Sequence, residues 1–216
     1  YNTLGVGSYS FTYTVTNGTD PETCISATTI TIIIEPLLVA GTALPPVTIC
    51  ENNLTSNFDL FTLLIGNDLG GDWSDNTPTG ALSGNNLDLT AITTPYNPSG
   101  YDFTYSINNG TTCPVDTEIV TIIITEAPEL VINSPENFCL NDTSVGTINL
   151  STYLTTDSSG GTGSWTDTNT TGALTIPDTI DVTILQGLGE GSYAFNYLVD
   201  NGDGCTEEIN MIIVID

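Results

Sequence analysis

The chain has 216 residues, and its 26 Asp and Glu residues, with no Lys, Arg or His, give a formal net charge of −26. The lack of basic side chains excludes nucleic-acid binding by phosphate neutralisation and makes anionic membrane surfaces repulsive. It also excludes catalysis by histidine acid–base chemistry, by a Ser-His-Asp triad or by a lysine nucleophile, so we do not expect an enzyme.

The N-terminal segment predicts a pair of strands. Residues 9–13 read Tyr-Ser-Phe-Thr-Tyr, an alternation that indicates a strand with one aromatic face. A turn and Cys24 follow, and residues 28–34 form a β-branched run that favours a second strand. Two strands alone are marginally stable in water. We therefore expect residues 1–35 to be the C-terminal half of a truncated repeat, covered by a longer chain or by another copy.

The next segment carries the motifs of a complete repeat. In chain order they are Cys50-Glu51-Asn52, Gly71-Asp72-Trp73-Ser74-Asp75, Gly80-Ala81-Leu82, Tyr101-Asp102-Phe103-Thr104-Tyr105, Cys113 and the β-branched run 119–125. No convincing amphipathic helix interrupts them, and residues 59–64 are the one short candidate for a helical turn or a strand. Short, regularly spaced strands separated by turn residues are typical of an antiparallel sandwich.

The last segment repeats these motifs at a nearly constant offset. Equivalent pairs are Trp73 and Trp165, 92 residues apart, Tyr101 and Tyr193, also 92 apart, and Cys50 and Cys139, 89 apart. Internal similarity at a fixed period indicates a repeat architecture. The predicted fold class is all-β, with tandem Ig-like antiparallel β-sandwich repeats at residues 36–126 and 127–216 after the partial repeat 1–35.

The five cysteines predict one disulfide within each complete repeat. Cys50 and Cys113 bracket the second repeat, and Cys139 and Cys205 bracket the third. Closing a loop of this size contributes about 4 kcal/mol in the chain-entropy model. Disulfides indicate an oxidising, extracytoplasmic compartment. Cys24 is expected to be unpaired within the chain, with its partner upstream; the alternative for all five is a set of free buried thiols.

Taken together, these motifs resemble a known class of repeat. The order Cys-x-Asn, Gly-Gly-Asp-Trp-Ser-Asp, Gly-Ala-Leu, Leu-Asp-Leu-Thr, Tyr-Asp-Phe-Thr-Tyr and a late Cys is similar to the Ig-like tandem repeats of giant Bacteroidota cell-surface adhesins, such as the flavobacterial gliding-motility adhesin. The resemblance covers two complete repeats and part of a third. It implies type IX secretion, an extracellular, cell-surface location and a structural or adhesive role, with gliding motility as one setting.

Several acidic residues are candidate metal ligands. Glu35 and Glu126 close their repeats at equivalent positions and are candidates for an inter-repeat calcium ion, because calcium prefers carboxylate and carbonyl oxygens. Asp167, Asn169 and Asp178 lie at spacings that match a calcium loop only in part. Asp200, Asp203 and Gly204 are another candidate set, for which an acidic β-turn is the favoured interpretation. Calcium is the one cofactor that the sequence suggests.

Two further kinds of site concern glycans. Thr179 lies in an Asp-Thr-Ile tripeptide that resembles the O-glycosylation acceptor of Bacteroidota. Trp73 and Trp165 lie beside Gly and acidic residues, which is compatible with a platform for sugar stacking. The Ig-like pattern favours the other interpretation, in which both Trp residues belong to the core near the disulfide.

Three functions are compatible with these features. The first is a stalk or adhesive filament on a cell surface, the second a glycan- or calcium-binding module, and the third a fibre in which copies exchange strands. Expected partners are neighbouring repeats of the same longer chain, copies of the chain, or surface glycans. No membrane insertion is expected, because no run of eighteen apolar residues occurs. A loop lined by exposed aromatic residues in one repeat only would favour the binding module.

Overall fold

The computed structural model describes residues 4–18, 24–110, 113–135, 137–158, 163–175, 177–202 and 204–216. Strands dominate it. They are β1 (Gly7–Asn17), β2 (Cys24–Ile34), β3 (Thr42–Ala43), β4 (Val47–Cys50), β5 (Phe58–Asp59), β6 (Leu64–Ile65), β7 (Asp72–Asp75), β8 (Leu82–Ser83), β9 (Asn86–Leu87), β10 (Tyr101–Ile107), β11 (Asp116–Thr125), β12 (Leu130–Ile132), β13 (Thr147–Asn149), β14 (Leu154–Asp157), β15 (Ser164–Asp167), β16 (Leu174–Thr175), β17 (Thr179–Asp181), β18 (Gly191–Asp200) and β19 (Thr206–Ile215). The predicted all-β class is confirmed.

Helical structure is confined to short segments of the described chain. The 3-10 helices are Glu51–Asn53, Leu60–Leu63, Leu89–Ala91 and Leu150–Tyr153, and the α-helix is α1 (Val182–Leu188). The sequence did not indicate α1. Its start is explained by Asp181, whose Oδ1 accepts hydrogen bonds from the backbone N of Thr183 at 3.0 Å and from its hydroxyl. Val182 and Leu185, one turn apart, are buried.

The described residues form two compact units. One consists of Tyr1–Pro45, Asp59–Leu87 and Asp102–Val120, and the other of Pro46–Phe58, Asp88–Tyr101 and Thr121–Asp216. The boundaries 36–126 and 127–216 come from the repeated sequence and stay predictions.

In the first unit, β1 and β2 form an antiparallel hairpin paired along its whole length. Phe11 and Tyr13 on its aromatic face are 48% and 69% exposed. Tyr9 is half-buried, and its hydroxyl donates to the carbonyl of Gly5 at 2.8 Å. The aromatic face of the partial repeat is therefore exposed at Phe11 and Tyr13.

The same unit contains the pairing of β7 with β10. The strands are antiparallel, with Trp73 opposite Tyr105. Alternation along β10 buries Phe103 and Tyr105 completely, as expected for a strand with one face in the core. The Tyr105 hydroxyl donates to the carbonyl of Asp68 at 2.7 Å and accepts from the backbone N of Gly71 at 2.9 Å.

The second unit contains a sandwich. One antiparallel sheet has the order β15-β18-β19 and another the order β13-β17-β16. A single core lies between them, and the members that fill it include Trp165, Phe195, Tyr197, Met211 and Ile213 from the first sheet and Ile180, Val182 and Leu185 from the second sheet and α1. Two sheets that share one core constitute the predicted sandwich architecture.

One parallel pairing in this unit determines where the early cysteines lie. β4 runs parallel to the end of β11, so that Cys50 lies opposite Thr125. The third repeat has an equivalent arrangement, a parallel bridge between Phe138 and Ile215. Cys139 is the next residue after Phe138. Each early cysteine is therefore located at the end of the last strand of its own sequence repeat.

Candidate functional site: the disulfide-linked junction

The described cysteines form one disulfide, between Cys50 and Cys205. The predicted pairs, Cys50 with Cys113 and Cys139 with Cys205, are therefore wrong. Cys24, Cys113 and Cys139 are free thiols, of which Cys24 and Cys139 are exposed. That Cys24 pairs with a cysteine upstream of this sequence stays a prediction.

The strand ends explain this pairing. Parallel pairing with β11 places Cys50 beside Thr125, at the end of the last strand of its own repeat. Cys205 immediately precedes β19, and its Sγ lies 3.6 Å from the backbone O of Thr125. The Cα atoms of Cys50 and Cys205 are 5.1 Å apart, a separation that a disulfide spans without displacing the backbone. The bond thus joins the early cysteine of one sequence repeat to the late cysteine of the next.

Three hydrogen bonds from amides lie around the disulfide, two of them to carboxylates and one to a backbone carbonyl. The backbone N of Ala127 donates to Glu51 Oε1 at 3.0 Å. Asn52 Nδ2 donates to Glu207 Oε2 at 3.1 Å, and Asn201 Nδ2 donates to the backbone O of Glu126 at 3.3 Å. Hydrogen bonds to an ionised acceptor are stronger than those between neutral groups. In a chain without basic side chains, amides here supply the donors that Lys and Arg provide elsewhere.

A shallow cleft of about 420 Å³ opens beside these contacts. Its lining residues are Tyr96, Pro98, Ile123, Ile124, Thr125, Glu126 and Asn201. Partial burial raises the pKa of Tyr96, and the nearby charge of Glu51, to which its hydroxyl is hydrogen-bonded, raises that pKa further, as does the charge of Glu126. Tyr96 therefore stays a neutral hydrogen-bond donor. Polar side chains and hydrogen bonds thus lie on the sides of the disulfide.

The carboxylate of the predicted calcium-loop residue Asp167 accepts hydrogen bonds from its own loop. Asp167 Oδ2 accepts from the hydroxyl of Thr171 at 2.7 Å and from the backbone N of Gly172 at 2.9 Å. The equivalent Asp75 Oδ2 accepts from the hydroxyl and the backbone N of Thr79, each at 2.7 Å. Asp167 Oδ1 is buried without a hydrogen-bond partner. These contacts are those of an acidic turn, in which the Asp side chain binds groups a few residues ahead.

The remaining metal candidates make separate contacts or are exposed. Asn169 Oδ1 accepts from the backbone N of Ala194 at 2.6 Å, and the backbone O of Asp178 accepts from the N of Leu150 at 2.8 Å. Glu35 and Glu126 are exposed. Within the described ranges, no three His, Cys, Asp or Glu residues come together in a way that would hold a metal ion.

The two Trp residues differ in exposure despite their equivalent sequence positions. Trp165 is 7% exposed and packs on Tyr197, with ring centroids 5.0 Å apart. Trp73 is half-buried and packs edge-on against Phe61 at 5.6 Å. It borders a cleft of about 380 Å³, which is lined by Phe61, Leu69, Gly70, Gly71, Asp72, Trp73, Gly84 and Asn85. The core interpretation holds for Trp165, whereas Trp73 reaches the surface.

Thr179, the predicted glycosylation residue, lies in the middle strand of a three-stranded sheet. It is half-buried at the start of β17, and it pairs with Asn149 of β13 and Thr175 of β16. Its backbone O accepts a hydrogen bond from the Thr175 hydroxyl at 2.9 Å. Glycosylation at Thr179 stays a prediction. In the part of the chain that the structure describes, no helix has the length and apolar character needed to cross a membrane.

Comparison with known proteins identified no matching family and no matching curated sequence. Among solved structures, the chain is similar to Sidekick-1 immunoglobulin domains 1–4, with a TM-score of 0.41, 15% identity, and coverage of 98% of this chain and 58% of that one. Extracellular domains 3–5 of Drosophila OTK give a TM-score of 0.40, 14% identity, and coverage of 98% and 71%. The insect immune protein hemolin gives 0.39, 12% identity, and coverage of 95% and 56%. The chain spans less than two thirds of the Sidekick-1 and hemolin structures.

Proposed function

We propose that the chain is a structural and adhesive repeat segment of an extracellular surface protein, acting as part of a stalk rather than as an enzyme. The observation that carries the proposal is the Cys50–Cys205 disulfide, which fastens the end of one sequence repeat to the next. Disulfides persist in oxidising, extracytoplasmic compartments. A covalent bond between successive repeats is an expected feature of a chain that transmits force along its length.

The position of the disulfide has a direct mechanical consequence. Its two cysteines are separated by 155 residues. A chain pulled from its two ends cannot extend the segment that the bond encloses. Since an extended chain spans at most about 3.5 Å per residue, the bond withholds about 540 Å of extension. A stalk that keeps its length under load needs this behaviour.

Single-molecule force–extension measurement tests the stalk proposal. The chain is held by its two ends under oxidising conditions and compared with its Cys50→Ser variant, with Cys113→Ser as the matched control. We expect the oxidised chain and Cys113→Ser to unfold with about 540 Å less extension than Cys50→Ser. Equal extension of all three chains would show that no bond encloses this segment under load, and would contradict the proposal.

The finer assignment rests on the sequence resemblance. It supports a location on a Bacteroidota cell surface, type IX secretion, and a role in cell adhesion or gliding motility. Antibody labelling of intact source cells, compared with a strain whose type IX pathway is inactivated, tests this assignment. We expect surface labelling that disappears in the second strain. Labelling that persists there would contradict the export route.

Glycan binding is a second candidate, and the cleft beside Trp73 favours it. A half-buried Trp with Phe61 beside it offers an aromatic face, and Asp72 and Asn85 supply polar groups at the same cleft. The equivalent Trp165 is buried, so such a site would exist in one repeat only. Titration of intrinsic fluorescence with a panel of neutral oligosaccharides tests it.

We expect quenching that Trp73→Phe abolishes and that Trp165→Phe, the matched control, preserves. The absence of quenching by every oligosaccharide would refute the site.

Calcium binding at Glu35 and Glu126 is likewise a proposal. If calcium binds there, the chain should have different thermal melting midpoints in calcium and in EGTA.

A fibre of copies is the third candidate, favoured by the exposed hairpin. Phe11 and Tyr13 are exposed on β1, whereas Phe195 and Tyr197 at the equivalent positions of β18 are buried. Apolar residues exposed on an open two-stranded edge are a template for association. Light scattering should detect assembly of the unmodified chain. The double change Phe11→Ser and Tyr13→Ser should abolish this assembly, whereas the control Thr12→Ser, on the other face of the strand, should preserve it. A monodisperse monomer at every concentration would exclude this candidate.

A further inference from the structure

The free cysteines occupy positions equivalent to the two bonded ones. Cys139 is the early cysteine of the third repeat, as Cys50 is of the second, and Cys113 is the late cysteine of the second repeat, as Cys205 is of the third. The bond that the structure contains joins an early cysteine to the late cysteine of the following repeat. Cys113 and Cys139 are free. Cys139 is of the early type and Cys113 of the late type, so each could take part in a bond of this kind with a different repeat.

The surroundings of Cys139 match those of Cys50. Cys50 lies opposite Thr125, at the end of the last strand of its repeat. Next to Cys139, the backbone N of Leu140 donates to the O of Asp216 at 2.8 Å, and the N of Asp216 donates to the O of Phe138 at 3.0 Å. Cys139 is thus held at the end of the third repeat, and it is exposed there.

The surroundings of Cys113 match those of Cys205. Four residues before Cys205, Asn201 Nδ2 donates to the backbone O of Glu126, where the preceding repeat ends. Four residues before Cys113, Asn109 Nδ2 donates to the backbone O of Pro36, the residue that follows the partial repeat 1–35. Equivalent asparagines therefore tie both late-cysteine turns to the boundary with the preceding repeat, at positions that differ by one residue.

We propose that disulfides connect successive repeats of this kind throughout the array. Cys139 bonds the late cysteine of a repeat that follows, and Cys113 bonds the early cysteine of a repeat that precedes. Cys24, the late cysteine of the partial repeat, likewise bonds the early cysteine of the repeat that precedes its own. In each bond two thiols lose two protons and two electrons to a disulfide oxidant of the glutathione class, which becomes two thiols. This connectivity does not depend on the adhesive role.

An extended chain tests the proposal. The full chain is followed by a second copy of residues 127–216, in which Leu198→Val marks the added copy by mass, and is oxidised with glutathione disulfide. Because the chain lacks Lys and Arg, it is digested without reduction by a protease that cleaves after Glu. This cleavage places Cys50, Cys113, Cys139 and Cys205 on four different peptides, and Leu198 on the peptide of Cys205.

We expect the Cys50–Cys205 pair to be retained and Cys139 to be linked to the mass-marked peptide, with loss of alkylation at Cys139. Introducing Cys139→Ser should free the marked cysteine, whereas Cys113→Ser should leave the marked link intact. Linkage of Cys139 to the unmarked Cys205 would overturn the proposal, and so would an alkylated Cys139 in an extended chain that retains the Cys50–Cys205 pair.

The unextended chain provides a second measurement that does not depend on folding of the added copy. This chain is oxidised at a concentration too low for dimers and treated with iodoacetamide, and its intact mass is measured. It should carry three alkyl groups, at the free cysteines of the structure, Cys24, Cys113 and Cys139. A single alkyl group would mean two intrachain bonds and would refute the connectivity.

Discussion

Removal of the Cys50–Cys205 bond should destabilise the unit in which it lies far more than removal of any other cysteine. The bond closes a loop across a sequence separation of 155 residues. The chain-entropy model assigns such a loop about 5 kcal/mol of stabilisation through the unfolded state. We therefore expect Cys50→Ser to lower the free energy of unfolding by up to about 5 kcal/mol, with a smaller loss where native strain offsets the gain.

Urea denaturation followed by the fluorescence of Trp165 measures this loss. Trp165 belongs to the core of the same unit, and a Trp73→Phe background removes the other indole. Cys113→Ser is the matched control, because its thiol is free, and it should change stability by no more than about 0.5 kcal/mol. A reductant should weaken the parent chain and leave Cys50→Ser unchanged. An equal loss in Cys113→Ser, or no loss in Cys50→Ser, would refute the reasoning.

Three further predictions follow from single side chains. Asp75→Ala frees several loop donors and should cost about 1–3 kcal/mol, whereas Glu35→Ala, an exposed control in the same unit, should cost under about 0.5 kcal/mol; urea denaturation followed by Trp73 fluorescence in a Trp165→Phe background measures both. Burial and a hydrogen bond to Asp157 raise the pKa of Tyr197 to about 12. The unfolded chain therefore loses this proton first, so stability should fall as pH rises from about 10 to 12, and less so in Tyr197→Phe. Acrylamide should quench the Trp165→Phe variant, which keeps Trp73, more strongly than Trp73→Phe; equal quenching would contradict the exposures.

Strand positions and their inward faces were readable from local sequence. Tyr101, Phe103 and Tyr105 alternate with polar residues, and all three are buried in β10. Side chains of a strand point to opposite faces with a period of two, so the alternation alone determines which face enters the core.

The helix α1 shows where local pattern was insufficient. Its sequence, Val-Thr-Ile-Leu-Gln-Gly-Leu, contains β-branched residues and a glycine, which disfavour a helix. The Asp181 cap and the burial of Val182 and Leu185 against the sandwich outweigh that preference. Tertiary burial of this kind is not visible in a window of seven residues.

The sequence by itself determined the all-β class, the repeat period and an unusual electrostatic character, because these depend on side-chain alternation, internal similarity and composition. The tertiary structure decided the disulfide pairing and the different exposures of Trp73 and Trp165. Loop closure depends only on the logarithm of loop length, so pairings within a repeat and between repeats differ by less than about 1 kcal/mol in closure cost. What selects the partner is the place where strands end: parallel pairing puts Cys50 beside Thr125, and there Cys205 is the cysteine within reach.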